Sequence, residues 1–158
     1  MAELTAALRA PGSKASYGYG SPPALAAAEL YKYRAGLQAV GIAYKTSAAT
    51  LAEMYSGALD FQFIDATFAT SQIRAGKLRG LAITSGQRST LIDLPTMAEA
   101  ANIPEFDIAP WWAVFLPANA PQPIVARLEG WFNQVVALED TRKYLAGNGA
   151  EPLPGNPR

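Results

Sequence analysis

No cysteine and no histidine occur in the 158 residues of this chain. Their absence removes disulfides, thiol nucleophiles, Cys/His zinc sites and any histidine-based catalytic triad. Charge of one sign is missing too: thirteen basic residues face thirteen acidic ones. A balanced chain lacks the basic face that a phosphate-backbone partner requires, so nucleic acid is not an expected partner. No apolar run approaches the roughly 20 residues needed to cross a bilayer. The start, "MAELTAALRAPGSK", has no basic n-region and only a short apolar stretch, so it does not read as a secretion signal. The expectation is therefore either a chain whose leader has been removed or a cytoplasmic one.

What is present fits a globular domain. Half of the residues are hydrophobic and 16% are charged, a balance that can bury a core. Along residues 1–84 the pattern alternates. A short helix carrying Leu4, Ala7 and Leu8 leads to a strand at residues 16–19. Pro22 or Pro23 then opens a helix with Ala26, Leu30 and Tyr33 on one face, stopped by Gly36. A strand is expected at residues 40–44, followed by a helix capped by Ser47 and ending near Gly57. A third strand is expected at residues 61–65, a helix stopped by Gly76 follows, and a fourth strand is expected at residues 81–84. Strand–helix alternation with short connections predicts an α/β fold with a parallel sheet.

Beyond residue 84 the texture changes, and a soft boundary falls between residues 86 and 106. Thr96 is a candidate cap for a short helix to Ala101. "WWAVFLP", residues 111–117, reads as an apolar strand. A long amphipathic helix from Pro123 carries Ile124, Leu128, Trp131, Val135 and Leu138. Asp140 caps a last helix ending near residues 147–149, and residues 151–158 read as an irregular tail.

The stretch "SYGYGSPPALAAAEL" sets glycines before a helix without a lysine. The phosphate-loop pattern needs Gly-Lys-Ser/Thr, and Gly20 is followed here by Ser21 and Pro22. The dinucleotide fingerprint needs a small residue where Pro23 stands. What survives is a helix N-terminus whose free N–H groups and partial positive charge attract a carboxylate. Two further corners, "YKTSAAT" and "DATFATS", follow the second and third strands. Since ligands of parallel α/β sheets sit beyond the carboxyl ends of the strands, all three corners should share one edge. Taken singly, Ser21, Ser47 and Thr67 are ordinary N-caps, Asp65 a helix cap, Lys45 a solvated charge, and Tyr17, Tyr19 and Tyr44 packing residues. No nucleophile has a visible base and no paired carboxylates form an acid–base couple, so no catalytic residue, metal ligand or cofactor is assigned.

The runs "YGYGSPPALAAAELY", "VGIAYKTSAATLAEMYSGALDFQFID" and "IRAGKLRGLAITSGQRSTLIDLPTMAEA" resemble the Bug family, the extracytoplasmic solute-binding proteins of tripartite tricarboxylate transporters. The similarity continues through "WWAVFLPANAPQPIVARLEGWFNQVV" and "DTRKYLAGNGAEPLPG". It implies a periplasmic-binding-protein-like parallel or mixed sheet flanked by helices, in truncated form. Residues 1–105 would correspond to the second domain and residues 106–158 to a segment returning to the first, whose amino-terminal part is absent. It also implies binding of a small organic carboxylate without chemistry, membrane transporter subunits as partners, and a periplasmic location. Ligand residues implied by the match are Gly18, Tyr19, Gly20 and Ser21, then Tyr44, Lys45, Thr46 and Ser47, then Asp65 and Thr67. The apolar residues beyond residue 106 add the expectation of a homodimer built through residues 106–158. The other reading is a structural module that oligomerises and binds nothing.

Overall fold

A computed structural model describes residues 1–152. The chain divides into two compact units at Pro110/Trp111. In the first, helix α1 (Ala2–Arg9) precedes strand β1 (Ala15–Tyr19), helix α2 (Pro22–Ala35), strand β2 (Ala39–Ala43), helix α3 (Ala49–Ser56), strand β3 (Phe61–Gln62), helix α4 (Ala66–Arg74) and helix α5 (Met97–Ala101). The second contains helices α6 (Gln122–Ala137) and α7 (Glu139–Gly147).

The α/β expectation holds. The sheet is parallel, in the order β2-β1-β3, with β1 at its centre. Tyr17 pairs with Gly41 and with Phe61, and Gly18 with Ile42 and Gln62. Period-two alternation gives β1 two unlike faces. Tyr17 belongs to the core, which Phe61 shares with Ala27, Ala28 and Tyr31 of α2 and with Phe106. The Tyr17 and Phe61 rings stack at 5.3 Å, and Tyr31 meets Phe61 edge-on at 5.7 Å. The opposite face of β1 carries only Ser16 and Gly18, so α3 approaches closely there: a methyl at Gly18 would meet Leu59, Thr50 and Tyr44.

Helix ends follow local chemistry. Gly36 and Gly57 sit in the left-handed region and terminate α2 and α3 as expected. Thr96 forms a full capping box with Glu99 at the start of α5. At the sheet centre, Tyr17 Oη donates to Glu29 Oε1, and Lys32 Nζ donates to the same oxygen at 2.8 Å. Burial, first, and then the Glu29 carboxylate push the Tyr17 phenol far above its usual value. Glu29 is held below the usual carboxylate range by its bonds from Lys32 and Tyr17.

Several expectations are corrected. The third strand stops at Gln62 rather than residue 65; β1 ends at Tyr19, so the register offers no partner beyond residue 63. In place of the fourth strand there is one parallel bridge, Ile83 to Thr96. Ile83 donates to the carbonyl of Pro95, which has no N–H with which to extend a ladder. Residues 111–117 form no strand; a strand needs a paired neighbour, and the described part of this unit holds only helices. Ala48, not Ser47, is the N-cap of α3. α7 begins at Glu139 with Leu138 as its N-cap, which puts Asp140 in the first turn. The expected irregular tail lies outside the described residues from residue 153 onward.

Candidate functional site

In a parallel sheet every strand points the same way, so the carboxyl ends of β1, β2 and β3 and the starts of α2, α3 and α4 lie along one edge. The first two corners are joined directly. Tyr44 N donates to Tyr19 O at 2.8 Å, extending the pairing one residue past the strands. Beyond it, the backbone of Gly20 lies against that of Thr46 and Ser47: a β-carbon at Gly20 would overlap the Thr46 carbonyl and the Ser47 nitrogen. Glycine is therefore dictated at residue 20 by close approach of two main chains.

Each corner offers different groups. Ser21 is the N-cap of α2 in extended conformation, but its hydroxyl makes no capping bond. Pro22 and Pro23 lack N–H groups, so the first turn of α2 supplies fewer amide donors than an ordinary helix start. At the second corner, Thr46 holds the turn that leads into α3: its Oγ1 accepts from Ala49 N at 3.3 Å. Ser47 is buried, and its carbonyl accepts the Thr50 hydroxyl at 2.7 Å. Lys45 is exposed. At the third corner, the Asp65 carbonyl accepts from Phe68 N and Ala69 N, which starts α4. The Asp65 side chain makes no capping bond, and burial pushes its carboxyl above the usual value. Thr67 lies inside the first turn of α4, not at its cap. Tyr19 and Gly18 end the central strand that all three corners flank.

Sequence reasoning passed over Gln62. It lies between two phenylalanines in the stretch read as the third strand, and the signal was there in its parity: Phe61 and Phe63 point one way and Gln62 the other. Both atoms of its carboxamide are sealed from solvent without a hydrogen-bond partner among the described residues. A groove of about 430 Å³ lies at the other end of α2, lined by Thr5, Arg9, Arg34, Glu99 and Asn102 among others. Arg9 there is engaged with the Ala35 carbonyl through Nε and Nη2.

Comparison with known proteins gives a consistent answer. A family model described as "Tripartite tricarboxylate transporter family receptor" matches residues 1–158. The UPF0065 protein in the tcbD-tcbE intergenic region of Pseudomonas sp. (strain P51) is 33% identical over 157 residues, covering 98% of this chain and 46% of that protein. Protein BugT of Bordetella pertussis is 32% identical over 130 residues, or 82% of this chain and 40% of BugT. Among solved structures, Rpa4515 of R. palustris with adipate superposes with a TM-score of 0.89 at 27% identity, covering 96% of this chain and 52% of that one. The chain thus spans about half the length of these relatives.

Proposed function

The chain belongs to the tripartite tricarboxylate transporter receptor family, and from that premise we propose that it binds a small organic carboxylate at the shared sheet edge and performs no chemistry on it. The observation that carries the reading is the packing of Gly20 on Thr46 and Ser47. It fuses two strand-to-helix corners into one rim of main-chain and hydroxyl groups. In that rim Gly18, Tyr19, Gly20 and Ser21 form the first side, Tyr44, Lys45, Thr46 and Ser47 the second, and Asp65 and Thr67 the third. Main-chain N–H groups at helix starts favour an anion without requiring an ionised side chain beneath it. Lys45 adds a positive charge at the mouth. Adipate in the structure of Rpa4515 gives the reading a ligand class, a dicarboxylate, on a fold this chain shares over 96% of its length. A periplasmic setting and delivery to membrane transporter subunits follow from the same premise.

Isothermal calorimetry with a panel of mono-, di- and tricarboxylates tests this reading. One-site saturable heat with at least one dicarboxylate is expected; silence across the whole panel overturns it.

A second observation favours self-association. In the second unit, Trp111, Trp112 and Phe115 are 63%, 72% and 78% exposed, and Ile124, Trp131, Val135 and Leu138 of α6 and its C-cap are each about half exposed. So many exposed large apolar side chains within one short segment are unusual for a surface facing water. We infer that residues 106–158 pack against a second copy, in a two-fold arrangement. Light scattering at micromolar concentration should give twice the 16.8 kDa chain mass; a single chain mass overturns the dimer.

A further inference from the structure

Among the described residues, Gln62 is the one beside the rim whose side-chain polar groups are sealed and unanswered. Buried amide groups in folded proteins are almost always paired, so an orphan marks a partner still to arrive. Its position is fixed by the sheet. Gln62 pairs with Gly18 in parallel register, and paired residues project to the same face. That face is bounded by Leu59, Thr50 and Tyr44. Leu59 and Thr50 are buried, whereas Tyr44 is half-buried, so Tyr44 is the least enclosed of the three. The nearby hydroxyl cannot answer Oε1: Thr50 Oγ1 gives its one proton to the Ser47 carbonyl.

We propose that Gln62 is the specificity-determining residue of the rim, and that its carboxamide selects a dicarboxylate bearing a hydroxyl or amino group over the unsubstituted one. The inference rests on the carboxylate-binding reading above and adds what the ligand must carry. A carboxamide presents two donors on Nε2 and an acceptor on Oε1. An ionised carboxylate only accepts, so an unsubstituted diacid answers Nε2 and leaves Oε1 orphaned. A hydroxyl or ammonium group on the ligand supplies the missing donor. Asp65 lies three residues further along at the same edge, and its side chain, when ionised, can likewise only accept. An unanswered Oε1 beside an acid-binding rim calls for a ligand that can donate.

The test compares acids that differ by one hydroxyl: malate against succinate, with 2-hydroxyglutarate against glutarate as the longer pair. In calorimetry the wild-type chain should prefer the hydroxy acid of at least one pair by about tenfold, the worth of one hydrogen bond. Gln62→Met keeps the length of the side chain and removes its polar atoms. The preference should fall below about twofold in this variant while its thermal midpoint stays level or rises, since an orphaned amide is gone. Gln62→Leu repeats the measurement should methionine disturb packing. Equal wild-type affinity within both pairs, or an undiminished preference in a folded Gln62 variant, overturns the inference. Failure of the underlying reading looks different: neither pair gives heat, or Gly20→Val binds as tightly as wild type. Should Gly20→Val lose both acids while folded Gln62 variants keep the preference, the rim stands and only the role of Gln62 falls.

Discussion

Gly20→Val is expected to weaken carboxylate binding by more than about a hundredfold and to cost roughly 1–3 kcal/mol of stability, the usual range for overpacking a close contact. The argument is geometric. The added β-carbon meets the Thr46 carbonyl and the Ser47 nitrogen, which are main-chain atoms without a rotamer to escape into. The β2–α3 corner must move away from the β1–α2 corner, and the Tyr44 N to Tyr19 O bond at 2.8 Å stands directly in the path of that shift. Binding should fall more than stability does, because a displacement of an ångström or so ruins a constellation of donors while the core below it is untouched. Calorimetry and a thermal melt on the same preparation separate the two effects. A folded variant that binds like the parent would show that the first two corners do not form the site.

Phe61→Ala is expected to be the most destabilising single truncation in the first unit, by about 3–5 kcal/mol. For a chain of this size that corresponds to a fall in melting temperature on the order of 10 °C. Phe61 is 6% exposed and holds three ring contacts: Tyr17 at 5.3 Å, Tyr31 at 5.7 Å and Phe63 at 6.3 Å. It is also half of a two-residue strand. So few ladder bonds cannot hold β3 in register alone, and the ring anchors the segment that leads to Asp65. Phe68→Ala on α4, where the ring is 42% exposed, should cost less than about 1 kcal/mol. Urea denaturation of both variants checks the contrast; equal losses would mean that the aromatic cluster does not secure β3.

The elements legible from sequence were those whose causes are local. Pro22 opening α2, Gly36 and Gly57 closing helices in the left-handed region, and Thr96 with Glu99 closing a capping box each depend on a few adjacent residues. What depends on a partner was harder to read. Residues 81–84 and 111–117 have strand composition, yet a strand exists only where another offers its hydrogen bonds. The first run found one bridge and the second found none among the described residues. The same rule explains the candidate site. That three corners would share an edge followed from parallel topology. That Gly20 would touch Thr46 and Ser47, that Ala48 rather than Ser47 would be the N-cap, and that Gln62 would be left without a partner among the described residues are facts of register, which no single segment encodes.

The bond from Tyr17 to Glu29 has a consequence for the rim above it. Tyr17 belongs to the strand that enters the Gly20 corner and Glu29 to the helix that leaves it, and Lys32 braces the same carboxylate. Strand and helix are thereby locked into one body, and the connection between them is only Gly20 and Ser21. A two-residue tether strung between fixed posts has almost no freedom left to lose when a guest arrives. The corner is preorganised, so little of the binding free energy is consumed in ordering it.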